Sequence, residues 1–182
     1  MRLRKKHFFG LSLLLLLATG LVDAQTQRSP SEYQLKAAFL YNFAKFIDWP
    51  PVTSTGDPPP FIVGILGDSP FGSDLEQIVA GKKINDRPIS VRPFRSAAEA
   101  VNCQILFICN SEKKHFSEII QSLRGHAVLT VSETDGFIQT GGMVNFVLED
   151  GKIRFQINDE AAKAAQLKIS SKLLSLAVAS SR

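Results

Sequence analysis

Three features of the sequence predict a mixed α/β fold, with a mainly parallel sheet flanked by helices on both faces, a C-terminal β-hairpin and a terminal helix. Residues 61–66 and 105–109 are short continuous apolar runs, suited to strands covered on both faces. Helical segments alternate with such strands through the middle of the chain. Near its end, Asp150-Gly151 separates two β-like segments in the manner of a tight hairpin turn.

The first element is a leader. Residues 1–7 are basic, residues 8–22 are apolar with five consecutive leucines, and Val22-Asp23-Ala24 supplies small residues of the kind a signal peptidase reads. This predicts a signal peptide over residues 1–24, cleavage after Ala24, and a single domain over residues 25–182. An uncleaved anchor would need roughly 20 apolar residues, more than this run provides. The formal charge of +4 and pI of 9.2 belong largely to the leader. It holds four of the 21 cations and one of the 17 anions, so the remaining 158 residues carry 17 against 16, a net of +1. That near-neutral balance excludes a bulk attraction to nucleic acid. A location outside the cytoplasm excludes ATP, NAD and chromosomal DNA as substrates, and Lys82-Lys83 and Lys113-Lys114 then read as solvated surface.

Ser29-Pro30-Ser31-Glu32 has the spacing of a capping box with proline at the first helical position, which predicts a helix over residues 30–48. Its apolar residues, Leu35, Phe39, Leu40, Phe43, Ala44, Phe46 and Ile47, cover more than half the circumference. Gln34, Tyr41, Lys45 and Asp48 form the polar side. Lys36 falls inside the apolar arc one turn after Glu32, so it either pairs with Glu32 or extends its head to solvent. Trp49-Pro50-Pro51 stops the helix, and a proline-rich loop follows to residue 60.

Residues 61–66 form the first doubly buried strand, residues 68–72 a turn, and residues 74–80 a short helix. Residues 89–94 form a strand near an edge, since Pro93 cannot donate to a ladder. Residues 97–101 make a helical turn, residues 105–109 a second buried strand, and Ser111 caps a helix to Leu123. Residues 127–131 form another strand. The hairpin pairs residues 143–148 with 153–157, where Ile153, Phe155 and Ile157 alternate with Arg154 and Gln156. Asn158 caps a final helix that breaks between Gln166 and Ser170.

Cys103 and Cys109 are the only cysteines. A six-residue strand separates their Cα atoms by about 20 Å, whereas a disulfide needs less than about 7 Å. They are expected as two buried thiols on one strand face.

Catalytic patterns are sparse. His115 and His126 have no metal-ligand spacing, and neither a G-x-S-x-G elbow nor an H-E-x-x-H pattern occurs. Neither a metal nor a cofactor is expected. Glu149-Asp150 and Asp159-Glu160 fall at a hairpin turn and a helix start, where anions are favoured for structural reasons. A small-molecule pocket in a parallel sheet would open at the strand C-ends. That nominates Gly67, Asp68, Ser69, Asn110, Ser111 and Ser132 as a ligand rim. Gly141-Gly142 is read as a tight bend before the hairpin.

Five segments in order, Tyr33-Gln-Leu-Lys-Ala-Ala-Phe-Leu-Tyr-Asn-Phe-Ala-Lys-Phe46, Ile65-Leu-Gly-Asp-Ser-Pro-Phe-Gly72, Gly136-Phe137 with Gly141-Gly142-Met143, Phe155-Gln-Ile-Asn158 and Leu167-Lys-Ile-Ser-Ser-Lys-Leu-Leu174, resemble the YfiR-like family of secreted bacterial regulators. The resemblance implies a non-catalytic periplasmic protein that binds the extracytoplasmic domain of an inner-membrane diguanylate cyclase, or a related membrane sensor, and restrains cyclic di-GMP synthesis. It also implies a tendency to form a homodimer. Redox control in the family resembles a property of members with further cysteines after the last parallel strand. This sequence has none there, so that control is not carried over. The partner contact is assigned to Tyr41, Lys45 and Trp49. A small-solute-binding module feeding a membrane sensor is the alternative, resting on the strand C-end rim.

Overall fold

The computed structural model describes residues 31–52 and 56–179. The expected signal peptide and the Ser29-Pro30 helix start lie outside the described residues. Helix α1 spans Glu32–Phe46 and is capped by Ser31, whose hydroxyl accepts the Gln34 N–H at 3.1 Å while Gln34 Oε1 accepts the Ser31 N–H at 3.0 Å. The capping box of the described helix is Ser31 with Gln34. The Glu32 carboxylate is engaged instead by Lys36 one turn on. The helix also stops earlier than expected. Ile47–Asp48 is extended as strand β1 and pairs antiparallel with Lys168–Ile169 near the other end of the chain, Ile47 opposite Ile169.

Strands β2 (Phe61–Leu66), β3 (Lys83–Ile84), β4 (Arg87–Phe94), β5 (Ile105–Ile108), β6 (Leu129–Ser132), β7 (Val144–Glu149) and β8 (Lys152–Ile157) build one sheet in the order β3-β4-β2-β5-β6-β7-β8. Strands β4, β2, β5, β6 and β7 are parallel, and β3 and β8 pair antiparallel at the two edges. This is the expected mixed, mainly parallel sheet. Strand β4 lies one place in from the edge, shielded only by the two residues of β3. The β3–β4 turn is made by Asn85 and Asp86 at φ 48° and 62°, a left-handed pair. At the expected hairpin, Asp150 and Gly151 take φ 50° and 70°, the sign pattern of the primed turn that suits the twist of paired strands.

Helices α2 (Asp74–Val79), α3 (Phe116–Ser122), α4 (Asp159–Ala164) and α5 (Ser171–Leu174) complete the fold. The helix expected from Ser111 starts as 3₁₀ turns over Asn110–His115 and becomes α-helical only at Phe116. The expected break before the last helix holds strand β9, Lys168–Ile169, the partner of β1. One side of the sheet is covered by α1, α2, α4 and α5 around Val63, Ile65, Phe107, Val131 and Phe146. On the other side α3 and the 3₁₀ turn Ala97–Ala100 pack on Leu66, Leu106 and Ile108 through Phe116 and Ala100. Gly142 is required by close approach, because a β-carbon there would run into the buried ring of Phe137.

The two cysteines are free and buried, but they do not share a face. Cys109 belongs to the α1 side and Cys103 to the α3 side. The ladder of β5 covers only Ile105–Ile108, and the Cys103 N–H closes a turn onto the Ala100 carbonyl at 3.0 Å, so strand alternation does not extend back to it. Burial pushes both thiols up to about 12, with the charges of Glu133, Asp68 and Glu112 adding to the effect at Cys109. Thiolate is the reactive form. Iodoacetamide at about pH 8 is therefore expected to leave both cysteines unmodified in the folded protein and to alkylate both in urea; rapid alkylation without urea would show that the core opens locally.

Candidate functional site

The chain passes from β2 outward to β4 and then back across β2 to β5, so the order reverses between β2 and β5. Such a switch point, at the strand C-ends, is where open parallel sheets usually bind ligands. Gly67, Asp68 and Ser69 follow β2 there, and Asn110 and Ser111 follow β5. Gly67, Asp68 and Ser111 come together: the Asp68 N–H donates to Ser111 Oγ at 2.9 Å. Asn110 Oδ1 accepts from the Thr134 hydroxyl at 3.3 Å, and Ser69 Oγ accepts the Phe71 N–H at 3.4 Å within its own turn. Ser132 is fully buried and donates to the Ile108 carbonyl at 2.8 Å, so it braces β5 against β6. Ser111 thus occupies the N–H of Asp68 and fills the space over Gly67. A β-carbon at Gly67 would collide with Ser111 Oγ, and its φ of 93° is already costly for any other residue. Gly67→Ala is expected to lose about 2 kcal/mol in urea unfolding, from the combined backbone and overpacking penalties; an unchanged midpoint would mean that Ser111 swings freely away.

A charged cluster, in which the Glu32–Lys36 pair expected from helical spacing gains Glu133, lies beside the end of β6. Lys36, 4% exposed, is held by Glu32, as one of the two expected options, and also by Glu133 immediately after β6. Tyr33 donates to Glu133 Oε1 at 3.3 Å, and the Lys36 ammonium sits 4.8 Å from the Tyr33 ring centroid. Burial draws the Lys36 pKa down, but its hydrogen bonds to Glu133 and Glu32 outweigh that and hold it above the ordinary lysine value. Burial, then the Glu133 charge, raises the Tyr33 phenol. An open cleft of 460 Å³ adjoins this cluster, floored by Phe146 and rimmed by Asp135 and Leu148. The ammonium neutralises charge within the cluster, and among the described residues no set of three His, Cys, Asp or Glu side chains is placed to hold a metal. The signal for Glu133 was a lysine inside an apolar helical arc, which demands a counter-charge from elsewhere in the fold.

The proposed contact residues separate into two kinds. Tyr41 and Lys45 share a surface on α1, with the Lys45 ammonium 5.5 Å from the Tyr41 ring centroid. Lys82 approaches the same ring to 4.4 Å, and Lys172 stands 5.2 Å from the neighbouring Phe46 ring. The surface is thus two half-buried aromatic rings bordered by three lysines. Trp49 instead serves the fold: its Nε1–H donates to the Ala44 carbonyl at 3.0 Å and its ring packs edge-on to Phe61 at 5.1 Å. No helix among the described residues is long and apolar enough to cross a membrane.

These features define a small mixed α/β domain whose switch-point polar groups bond to one another, and whose first helix presents a cationic, aromatic surface. The chain belongs to the YfiR/HmsC-like family, whose model matches residues 33–178. The family is one of periplasmic regulators in cyclic di-GMP signalling, regulators rather than enzymes. Among solved structures, a conserved domain protein from Vibrio cholerae O1 biovar El Tor strain N16961 shares the fold with a TM-score of 0.54 at 10% identity. The alignment covers 81% of this chain and 59% of that one, so the chain spans little more than half of its length. No curated protein matches the chain.

Proposed function

We propose that the protein is a non-catalytic periplasmic regulator that acts by contact, binding the extracytoplasmic domain of an inner-membrane diguanylate cyclase or a related membrane sensor and restraining cyclic di-GMP synthesis. The observation that carries this reading is membership of the YfiR/HmsC-like family over nearly all the described residues. The cation-bordered rings of Tyr41 and Phe46 support it as a contact surface, because aromatic anchors flanked by lysines suit a partner with acidic and apolar side chains. Restraint requires preference for one state of the partner, and a contact with equal affinity for both states changes nothing. A tenfold shift needs about 1.4 kcal/mol of preference.

The test is affinity purification from detergent-solubilised membranes together with cyclic di-GMP measurement. A cyclase or sensor should co-purify with the wild type, and Tyr41→Ala with Lys45→Glu should lose it while the melting temperature is kept. Deleting the gene should raise cyclic di-GMP. Unchanged cyclic di-GMP with no membrane protein retained would overturn the reading.

A further inference from the structure

We propose that the cleft at the N-terminal ends of the parallel strands, opposite the switch point, binds a small organic carboxylate, with Arg87 receiving the anion. Among the described residues, the buried cations are Lys36 and Arg87. Lys36 has two carboxylates. Arg87, 7% exposed at the start of β4, has only neutral acceptors: its Nε donates to the Pro59 carbonyl at 2.7 Å, and its Nη2 donates to the Pro60 carbonyl at 2.8 Å and to Gln104 Oε1 at 3.1 Å. The Phe61 ring centroid lies 5.5 Å from the guanidinium carbon. Buried charges are ordinarily paired, because an ion withdrawn from water without a counter-charge is costly. Bonding two carbonyls and an amide oxygen needs N–H donors but no charge, so among the described residues no carboxylate compensates the positive charge of Arg87. Nη1 carries two further donors beyond those bonds, and a guanidinium matches a carboxylate in geometry as well as charge.

The surroundings say what kind of anion fits. Arg87 lines an open cleft of 300 Å³ with Asn102 and the exposed His126 as further polar groups. Trp49 and Ala127 contribute apolar surface on one side and Val52, 43% exposed, adds more at its edge, while most of the surface the cleft presents is polar. A buried cation at one end, neutral polar groups beside it and a smaller apolar side at Trp49 and Ala127 fit a carboxylate carried on a compact body that can use that side, which a bare inorganic anion cannot. The site is separate from the Tyr41–Lys45 surface and stands whether or not a membrane partner is found.

The experiment is titration of the purified protein with benzoate, read by calorimetry and by amide NMR shifts. Benzoate is expected to saturate one site, with shifts concentrated at residues 102–104 and 126–127. Benzyl alcohol, with the ring and no charge, and inorganic phosphate, with charge and no ring, should each bind at least about tenfold more weakly, and so should benzoate to Arg87→Lys. Because Arg87 also holds Pro59 and Pro60, His126→Ala at an exposed position is the second variant, expected to weaken benzoate about threefold at an unchanged melting temperature. Absence of saturation, shifts elsewhere, or equal binding of benzyl alcohol or phosphate would overturn the proposal.

Discussion

Truncating Phe43 to alanine is expected to destabilise the domain by about 4 kcal/mol, the largest loss among single substitutions argued from this fold. The Phe43 side chain is completely buried on the α1 face of the sheet. Its ring stacks on Phe146 at 5.8 Å and meets Phe155 edge-on at 5.1 Å, with Phe39 on the same helix at 6.2 Å. The substitution removes the transfer energy of the ring, leaves a cavity that β7 and β8 cannot close, and forfeits aromatic pair terms of about 0.5–1.5 kcal/mol each. For a domain of this size the melting temperature should fall by about 12 °C. Leu148→Ala, at a residue 70% exposed on the hairpin, is the control and should change stability by less than about 0.5 kcal/mol. A loss at Phe43 below about 1 kcal/mol would mean that the hairpin relaxes onto α1 and refills the space. The substitution also reaches function: Tyr41 and Lys45 lie two positions either side, about 200° around the helix, so Phe43 holds the face opposite the proposed contact surface. Weakened partner binding by Phe43→Ala is thus expected to follow the loss of order in α1.

The pattern of the chain made most of this framework legible, and the parts it concealed share a cause. Residues 61–66 and 105–108 are apolar at nearly every position, so their place in the middle of a parallel sheet could be read directly. Asp150-Gly151 announced its turn because left-handed backbone favours those residues. Strands β1 and β9, by contrast, are two residues each and exist only because Ile47 and Ile169, far apart in sequence, meet in the fold. No local period reports such a pair. The Asn85-Asp86 turn was detectable in principle, since both residue types tolerate positive φ, but β3 is too short to show alternation. For the site, proximity was again the missing quantity. Gly67, Asp68 and Ser111 could be placed at the strand ends, but that Ser111 would bond Asp68 and crowd Gly67 depends on how far the β5 turn leans. Arg87 gave no sign of its burial, because a strand-start arginine beside proline reads as exposed until Pro59 and Pro60 fold over it.

Lys36→Ala is expected to cost about 3 kcal/mol near neutral pH, the second-largest effect, and to do so with a distinctive pH dependence. The substitution leaves Glu133, whose side chain is 16% exposed, without its counter-charge, while Glu32, 53% exposed, regains water. The penalty comes mainly from Glu133, so Glu133→Gln in the Lys36→Ala background should recover part of it, a non-additivity that identifies the pair as coupled. The lysine is held above its ordinary value of 10.5 in the folded protein. A group whose pKa is higher when folded contributes stability that is complete below its unfolded pKa and disappears as pH rises through the folded value. Wild type and Lys36→Ala should therefore differ by a constant amount from about pH 7 to 9 and converge only above the unfolded lysine pKa. Urea unfolding across that range is the measurement. Convergence already at about pH 8 would show that Lys36 loses its proton far earlier than its two carboxylates allow, and that the cluster is not closed as described. Because Glu133 follows β6 directly and Lys36 lies on the first turns of α1, the ion pair also fixes the start of that helix on the sheet. Loss of the pair should free the N-terminal turns of α1 before the Phe43 region, visible as amide exchange that quickens at residues 33–37 while residues 43–47 stay protected.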